Sequence, residues 1–372
     1  MARPDQSEWL FSKIQSRRTA HPIAFLLPSA TFPSVIPSPN PSLKNVRDDP
    51  HSEVRSLDPL SVDPERGLDF IGDLHGHAGR LDDLLDRLDY QWVDGIPRHR
   101  DRTTIFLGDY VDRGPEIRRT LETVRSMVDR GDAIALMGNH EYNTIAWFTP
   151  RPDRPEEPCR RHTPIRQNLI APTLASLGED TSAWIDWMRG LPLWFETERV
   201  RAVHATWDRP SIEFLREMLT PTNGALTEPL MQATCEPRSS SFRAIEQVLK
   251  GREIPLPDGV VLTDPEGSPR RHIRARWFES PHGRTYREHA FTRDDSFPDI
   301  AIPPDAIAPD SKHYAPTEPP VFVGHYWMQG TTPTRLAPNV ACLDWSVARG
   351  GPLVAYRFDG ESEIDNARFV AV

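Results

Sequence analysis

The sequence predicts an α/β fold with parallel strands, and three observations carry the prediction. Three times between residues 67 and 141 an apolar run ends in a glycine and a cluster of polar residues. Helical patterns separate the runs, which is the strand and helix alternation of a parallel sheet. The stretch Gly108-Asp109-Tyr110-Val111-Asp112-Arg113-Gly114 then places two carboxylates and a guanidinium directly after the β-branched, apolar run Thr103–Leu107. Such residues make a poor core, and the carboxyl ends of strands are where α/β sheets hold ligands.

Taken in order, residues 1–66 read as a tail. The Pro-Ser clusters between Pro33 and Pro41 hold no period, and no acidic residue stands between Trp9 and Arg47. That bias has features of a transit-type peptide, and Ser16-Arg17-Arg18 before Ile23–Leu27 has the order of a twin-arginine signal. The apolar run stops at Pro28, so a tail without a core is the plainer expectation. A catalytic domain is expected over residues 67–372. Leu68–Ile71 reads as its first strand, followed by the turn Gly72-Asp73-Leu74-His75-Gly76-His77. Leu81, Leu84, Leu85 and Leu88 repeat at helical spacing, with Asp82, Asp83 and Asp86 on the other face. After the central stretch a helix is expected from Pro115 to about Arg130, with proline in its first turn. Ala133–Met137 is the third strand and Gly138-Asn139-His140-Glu141 its turn. Right-handed crossovers between parallel strands bring all three turns to one sheet edge.

Arg151–Pro164 is a proline- and charge-rich loop, and helical patterns follow around Leu169–Leu177 and Thr181–Met188. Trp184 and Trp187, three apart, read as a packing stripe. Arg199–Val203 is a strand ending at His204. From about residue 210 to 320 the pattern weakens, and the segment reads as an insertion beside the sheet edge. Helices are expected there at Ser211–Leu219 and Phe242–Lys250, and a strand at His272–Trp277. Strands resume at Val321–Val323, followed by Gly324-His325, and continue at Val340–Leu343, Leu353–Phe358 and Phe369–Val372.

Composition excludes several classes. A formal net charge of −10 over 372 residues argues against a nucleic-acid or other general polyanion binder. A phosphorylated substrate stays open, because bound metal ions dominate a local field. Cys159, Cys235 and Cys342 form no CxxC pair, which excludes a disulfide scaffold and a zinc finger. Their spacing fits a reducing compartment, and a cytoplasmic location is expected. No apolar run reaches the length of a membrane span.

The polar residues that follow strands are Asp73, His75, Asp109, Asn139, His204 and His325. Three imidazoles, two carboxylates and an amide exceed one divalent ion and suit two, with one carboxylate shared. Mixed nitrogen and oxygen donors suit Mn, Fe or Zn better than Mg.

Gly72–Gly76, Gly108–Gly114, Gly138–Glu141, Val203-His204-Ala205 and Gly324-His325 together resemble the motifs of calcineurin-like metallophosphoesterases. The match is closest to the phosphoprotein-phosphatase branch, which also holds bacterial symmetrical diadenosine tetraphosphatases. The resemblance implies a four-layer α/β/β/α sandwich with an insertion between the last two ligand histidines. It implies two divalent ions, with manganese the leading expectation. Asp73 and His75 would hold one ion, Asn139, His204 and His325 the other, and Asp109 would bridge them. His140 would be the general acid, Asp112 would orient it, and Arg113 would bind phosphate oxygens. A hydroxide bridging the metals would attack phosphorus directly.

The branch has a further phosphate-binding arginine before its last histidine; Arg274 and Arg276 are candidates here, though a solvated charged face also explains them. Asp344 is a candidate substrate contact. His77, Tyr326 and Trp327 read equally as packing or surface residues and as neighbours of the site. His272, His282, His289 and His313 read as solvated. Alone, Asp109 could be a capping aspartate, His140 a helix-start residue, and His204 and His325 satisfied core histidines; five motifs in order argue against each.

The expected function is hydrolysis of phosphate monoesters, phosphoprotein Ser/Thr phosphate included. The expected partners are a phosphorylated small molecule, a nucleotide or a phosphoprotein, without a membrane. The alternatives are a symmetrical dinucleoside polyphosphate hydrolase and a metal-binding phosphate-recognition module without turnover.

Overall fold

The computed structural model describes residues 62–63, 66–263, 269–292, 295–307 and 312–372. The tail expected over residues 1–66, with its transit-type and export readings, lies outside the described residues except at its end.

Two sheets form the centre. In the first, the strands run in the order Phe369–Ala371, Val354–Phe358, Gly67–Ile71, Arg102–Phe106 and Ala133–Ala135. The last three are parallel to one another, and the first two are antiparallel additions at the Gly67–Ile71 side. In the second sheet the order is Val340–Cys342, Val321–Val323, Arg201–Val203 and Trp194–Glu196. Here again three strands are parallel, and Trp194–Glu196 is the antiparallel edge.

Side-chain alternation decides how the sheets are covered, because successive residues of a strand face opposite sides. Leu68, Phe70 and Ile105 of the first sheet share a core cluster with Phe195, Ala202, Phe322 and Ala341 of the second. Phe70 and Phe322 stack with ring centroids 4.2 Å apart. These faces therefore meet, and the sheets form a sandwich. The alternate residues point outward to helices. Ile71 and Phe106 share a cluster with Leu81, Leu84 and Leu85 of the helix Ala78–Arg87 and with Leu121 and Val124 of Ile117–Asp129. Val203, Val321 and Val323 share it with Ile212 and Leu215 of Arg209–Leu219 and with Ile245 and Val248 of Ser240–Lys250. This is the α/β/β/α arrangement.

The last pair of helices lies in the segment expected as an insertion, where the sequence predicts helices at Ser211–Leu219 and Phe242–Lys250. Residues 210–250 are a helical layer of the sandwich, tied to it where Ala205 N–H donates to the carbonyl of Val248 at 3.0 Å. Their apolar positions recur at helical spacing, as a core-facing layer requires. A separate small core begins beyond them, formed by Ile254, Leu256, Ile273, Ala275, Tyr286, Ala290 and Ile302.

A correction concerns His289. It is buried, whereas His272, His282 and His313 are exposed as expected. Burial, with the cations of Arg284, Arg276 and Arg252 outweighing Glu279, holds the imidazole down at about 4. The unfolded chain binds a proton near 6.5 that the folded protein refuses until about 4. Stability is therefore full above that window and falls as pH drops through it. Urea unfolding midpoints should decline between pH 7 and 5 in the wild type and decline less in His289→Gln. Parallel declines would show that His289 does not carry the effect.

Among the described residues no helix is long and apolar enough to cross a membrane.

Candidate metal centre

Every residue of the expected constellation stands at the carboxyl end of a strand. Asp73 and His75 follow Gly67–Ile71, Asp109 follows Arg102–Phe106, and Asn139 opens the helix Asn139–Phe148 after Ala133–Ala135. His204 follows Arg201–Val203 and His325 follows Val321–Val323. Parallel pairing within each sheet puts these ends on one side, so residues 252 positions apart in sequence touch: the His325 N–H donates to Asp73 Oδ2 at 3.1 Å.

Asp109 is the centre of the cluster. Its Oδ2 lies 3.7 Å from His75 Nε2 and 3.9 Å from His140 Nε2, and its Oδ1 lies 3.4 Å from His204 Nε2. Two donor groups result, His75 with Asp109 and His140, and Asp109 with His204 and His325, each with its donor atoms within 4.8 Å of one another. Asn139 Oδ1 joins the second, 3.1 Å from His204 Nε2. Asp73 is outside both triads and lies against the backbone of His325.

The local backbone is unusual and has identifiable supports. His75, Asp109, Asp112, Arg113 and His325 all have positive φ, between 41° and 72°. Non-glycine residues rarely adopt that region, and such strain collects at functional sites. Glu141 holds the central loop in place. Its buried carboxylate accepts from the amides of Asp109 and Tyr110 at 2.8 Å, Gly138 at 3.0 Å and Val111 at 3.2 Å. Burial and the Asp109 charge raise its pKa to about 7. Two glycines make room for the carboxylates: a Cβ on Gly138 would lie 2.2 Å from Asp109 Oδ1, and one on Gly324 2.1 Å from Asp73 Oδ1.

The imidazoles are oriented from behind. His75 Nδ1 donates to the carbonyl of Val111 at 2.9 Å, and His204 Nδ1 to that of Leu107 at 2.8 Å. Each bond fixes the tautomer and turns Nε2 inward, as carbonyl partners do for ligating histidines. The Nε2 atoms of His75 and His325 are buried and have no hydrogen-bond partner among the described residues. Burial lowers His75 to about 3, helped by His140 and Arg113, and lowers His325 well below its ordinary value, helped by Arg274 and His204. Both are thus neutral, the form that binds metal. Buried, orphaned nitrogen donors around a shared carboxylate fit divalent cations.

His140 has a different partner. Its Nδ1 donates to Asp112 Oδ2 at 2.5 Å. Thr173 Oγ1 donates to the other Asp112 oxygen at 2.5 Å and accepts from the Asp112 amide at 3.0 Å. Thr173 sits on the helix Pro164–Leu177 and went unnoticed in the sequence, where the one hint is Pro172, a break in regular helix bonding. Burial pushes the His140 imidazole down, but Asp109 and Asp112 outweigh it and the net shift is upward.

The remaining candidates separate clearly. Arg113 is half-buried, stacks 4.2 Å from the centroid of Trp327, and its charge reaches His75 and His140. Arg274 pairs in a strand with Glu253, its carbonyl accepts from the Phe291 amide at 2.8 Å, and its charge acts on His325. Arg276 instead pairs with Glu279 at 2.8 Å. Asp344 is buried and uses its oxygens on the amides of Trp327, at 2.7 Å, and Ser346, at 3.0 Å, so it holds two loops together. Tyr326 is a packing residue, stacked on Phe291 at 3.4 Å. His77 precedes the helix Ala78–Arg87 and bonds the Leu74 carbonyl.

Comparison with known proteins places this arrangement. The calcineurin-like phosphoesterase family model matches residues 68–222. Over 85 residues the chain is 45% identical to the asymmetrical bis(5'-nucleosyl)-tetraphosphatase PrpE of Geobacillus sp. strain WCH70, spanning 23% of this chain and 35% of that protein. The PrpE of Bacillus mycoides strain KBAB4 is also 45% identical over 85 residues, spanning 22% of this chain and 35% of its own. The chain thus covers about a third of the length of these relatives. Among solved structures, a cold-active protein tyrosine phosphatase aligns with a TM-score of 0.46 and 17% identity, over 85% of this chain and 84% of that one.

Proposed function

We propose that this chain, which matches the calcineurin-like phosphoesterase family model over residues 68–222, hydrolyses phosphate monoesters with two divalent ions bound. The observation that carries the reading is Asp109, shared by two donor groups whose His75 and His325 nitrogens are buried without partners. Residues 67–372 would act as one catalytic unit. Asp73 and His75 would hold one ion, Asn139, His204 and His325 the other, with Asp109 common to both, and manganese suits this mixed donor set. Bound there, the ions would polarise phosphoryl oxygens and make hydroxide available at neutral pH.

The side chains do the rest. Arg113 would offer a planar fork to two phosphate oxygens, and Arg274, whose charge reaches His325, would offer a second. His140 is anchored through Nδ1, so Nε2 is the atom that carries a proton to the leaving oxygen. Asp112 keeps that imidazole in the required tautomer, and Thr173 keeps Asp112 in place. Three free thiols support a cytoplasmic setting.

Dinucleoside polyphosphate hydrolysis is the second reading, favoured by the tetraphosphatase relatives. A panel of p-nitrophenyl phosphate, phosphopeptides, nucleotides and diadenosine tetraphosphate, each with Mn²⁺, tests both. Turnover of the aryl phosphate is expected. A tetraphosphate preferred over phosphopeptides would favour the second reading. Its products, two ADP or ATP with AMP, tell symmetrical from asymmetrical cleavage. Bound metal with no turnover across the panel would leave a phosphate-recognition module and sink both.

A further inference from the structure

Cys159 and Cys235 lie far apart in the sequence, yet the fold brings their thiols together. The loop before Cys159 is closed on itself: the Cys159 amide donates to the Thr149 carbonyl at 2.8 Å, and Pro150 and Pro158 form a β-bridge. Cys235 ends the helix Glu228–Cys235. The Pro150 carbonyl joins the two segments, accepting from the Cys159 thiol at 3.6 Å and from the Gln232 side-chain amide at 3.0 Å. Gln232 and Cys235, three apart, share a face of that helix. The two sulfurs are in hydrogen-bond contact, with Cys159 donating. Neither residue is fully buried, whereas Cys342 is. The chemistry proposed for the metal centre uses neither thiol.

We propose that Cys159 and Cys235 are a reversible disulfide pair, oxidised by a peroxide and restored by a dithiol. The Cys235 thiolate attacks one peroxide oxygen and becomes a sulfenic acid, while the other oxygen leaves as hydroxide and takes up the proton the thiol gave. The Cys159 sulfur then attacks the Cys235 sulfur, and its proton leaves with the sulfenic oxygen as water. Two thiols and one peroxide thus give one disulfide and two waters, and a dithiol reverses the bond by exchange. Cys235 is the attacking sulfur for a structural reason. Burial raises its pKa, but hydrogen bonds from Tyr142, whose hydroxyl lies 3.6 Å away, and from Cys159, with the Lys250 charge, offset part of that. Burial pushes the Cys159 thiol up to about 12, so it serves as the resolving partner. Both thiols are held above the ordinary range, so oxidation is slow and follows sustained exposure to the oxidant. Tyr142 belongs to the helix Asn139–Phe148, so the pair is braced against the element that also carries Asn139 and His140.

Mass spectrometry of the full chain after prolonged treatment with hydrogen peroxide tests this. The expected product is lighter by two hydrogens, joins residues 159 and 235 within one chain, keeps Cys342 as a thiol, and returns to the starting mass with dithiothreitol. Cys159→Ser should leave Cys235 as a sulfenic acid that dimedone captures, while Cys235→Ser should leave Cys159 largely unreacted. Because the cross-link joins segments that the fold already holds in contact, it should raise the thermal unfolding midpoint of the wild type, and reduction should return it. Unchanged thiol content after prolonged peroxide overturns the proposal. So does a disulfide between two chains, or one that includes Cys342. A lower unfolding midpoint in the cross-linked protein would mean that the sulfurs bond only when the fold is distorted, which overturns it as well. Equal dimedone capture in the two single variants would overturn the assignment of Cys235 as the attacking thiol. None of these readouts depends on phosphatase turnover.

Discussion

Asp109→Asn is expected to yield a folded protein that binds less Mn²⁺ and hydrolyses p-nitrophenyl phosphate on the order of 10³-fold more slowly. The fold should survive for two reasons. Asparagine tolerates the positive φ of 56° nearly as well as aspartate does. Glu141 grips the backbone amide at this position, which the substitution leaves in place. The charge is what disappears. One carboxylate faces His75 and His140 with one oxygen and His204 with the other, so neutralising it removes an anionic donor from both groups at once. Lewis-acid stabilisation is worth several kcal/mol, and each ~1.4 kcal/mol is a factor of about ten, which gives the expected rate loss. Arg113→Ala is the contrast. On the proposed role it would remove a phosphate donor, costing about 10²-fold, and should leave the metal content intact. Metal stoichiometry by mass spectrometry, read beside the rates, separates the two. Equal loss of Mn²⁺ in both variants would end the division of labour between Asp109 and Arg113.

The sequence carried the parts of this site that depend on strand ends. Apolar runs of a few residues ended by glycine placed Asp73, Asp109, Asn139, His204 and His325 correctly at strand ends because alternation and turn chemistry are local signals. What it could not carry are contacts set by tertiary packing. Thr173 reaches Asp112 from a helix 61 positions away, and the neighbouring Pro172 marks a helix irregularity without pointing to that contact. Glu141 was visible within its motif, yet its four amide partners on two loops were not. The positive φ values of His75, Asp109, Asp112, Arg113 and His325 left no trace either, since none is a glycine. Residues 210–250 were legible only in part. Their helices were legible, but which sheet face they cover follows from Val203, Val321 and Val323 pointing outward, a matter of sheet pairing. His289 was placed on the surface because a charged neighbourhood in sequence resembles a solvated one, although here the chain folds back over it.

His140→Ala should show a loss that depends on the leaving group, and this dependence distinguishes a proton donor from a metal-site residue. The imidazole is fixed through Nδ1 to Asp112 at 2.5 Å, with Nε2 on the side of Asp109. A proton delivered from Nε2 matters in proportion to the charge that builds on the departing oxygen. An alkoxide is a poor leaving group, so an alkyl phosphate such as phosphoserine should lose about 10²–10⁴-fold, the range of general acid catalysis. p-Nitrophenolate departs as a stable anion and needs little help, so its loss should be far smaller. Mn²⁺ content should stay near that of the wild type, because the His75, His204 and His325 nitrogens and the Asp109 carboxylate remain. Single-turnover rates on both substrates, with metal analysis of each sample, provide the measurement. A uniform loss across the two leaving groups, accompanied by loss of metal, would show that His140 completes the triad of His75 and Asp109 as a ligand and that another group supplies the proton.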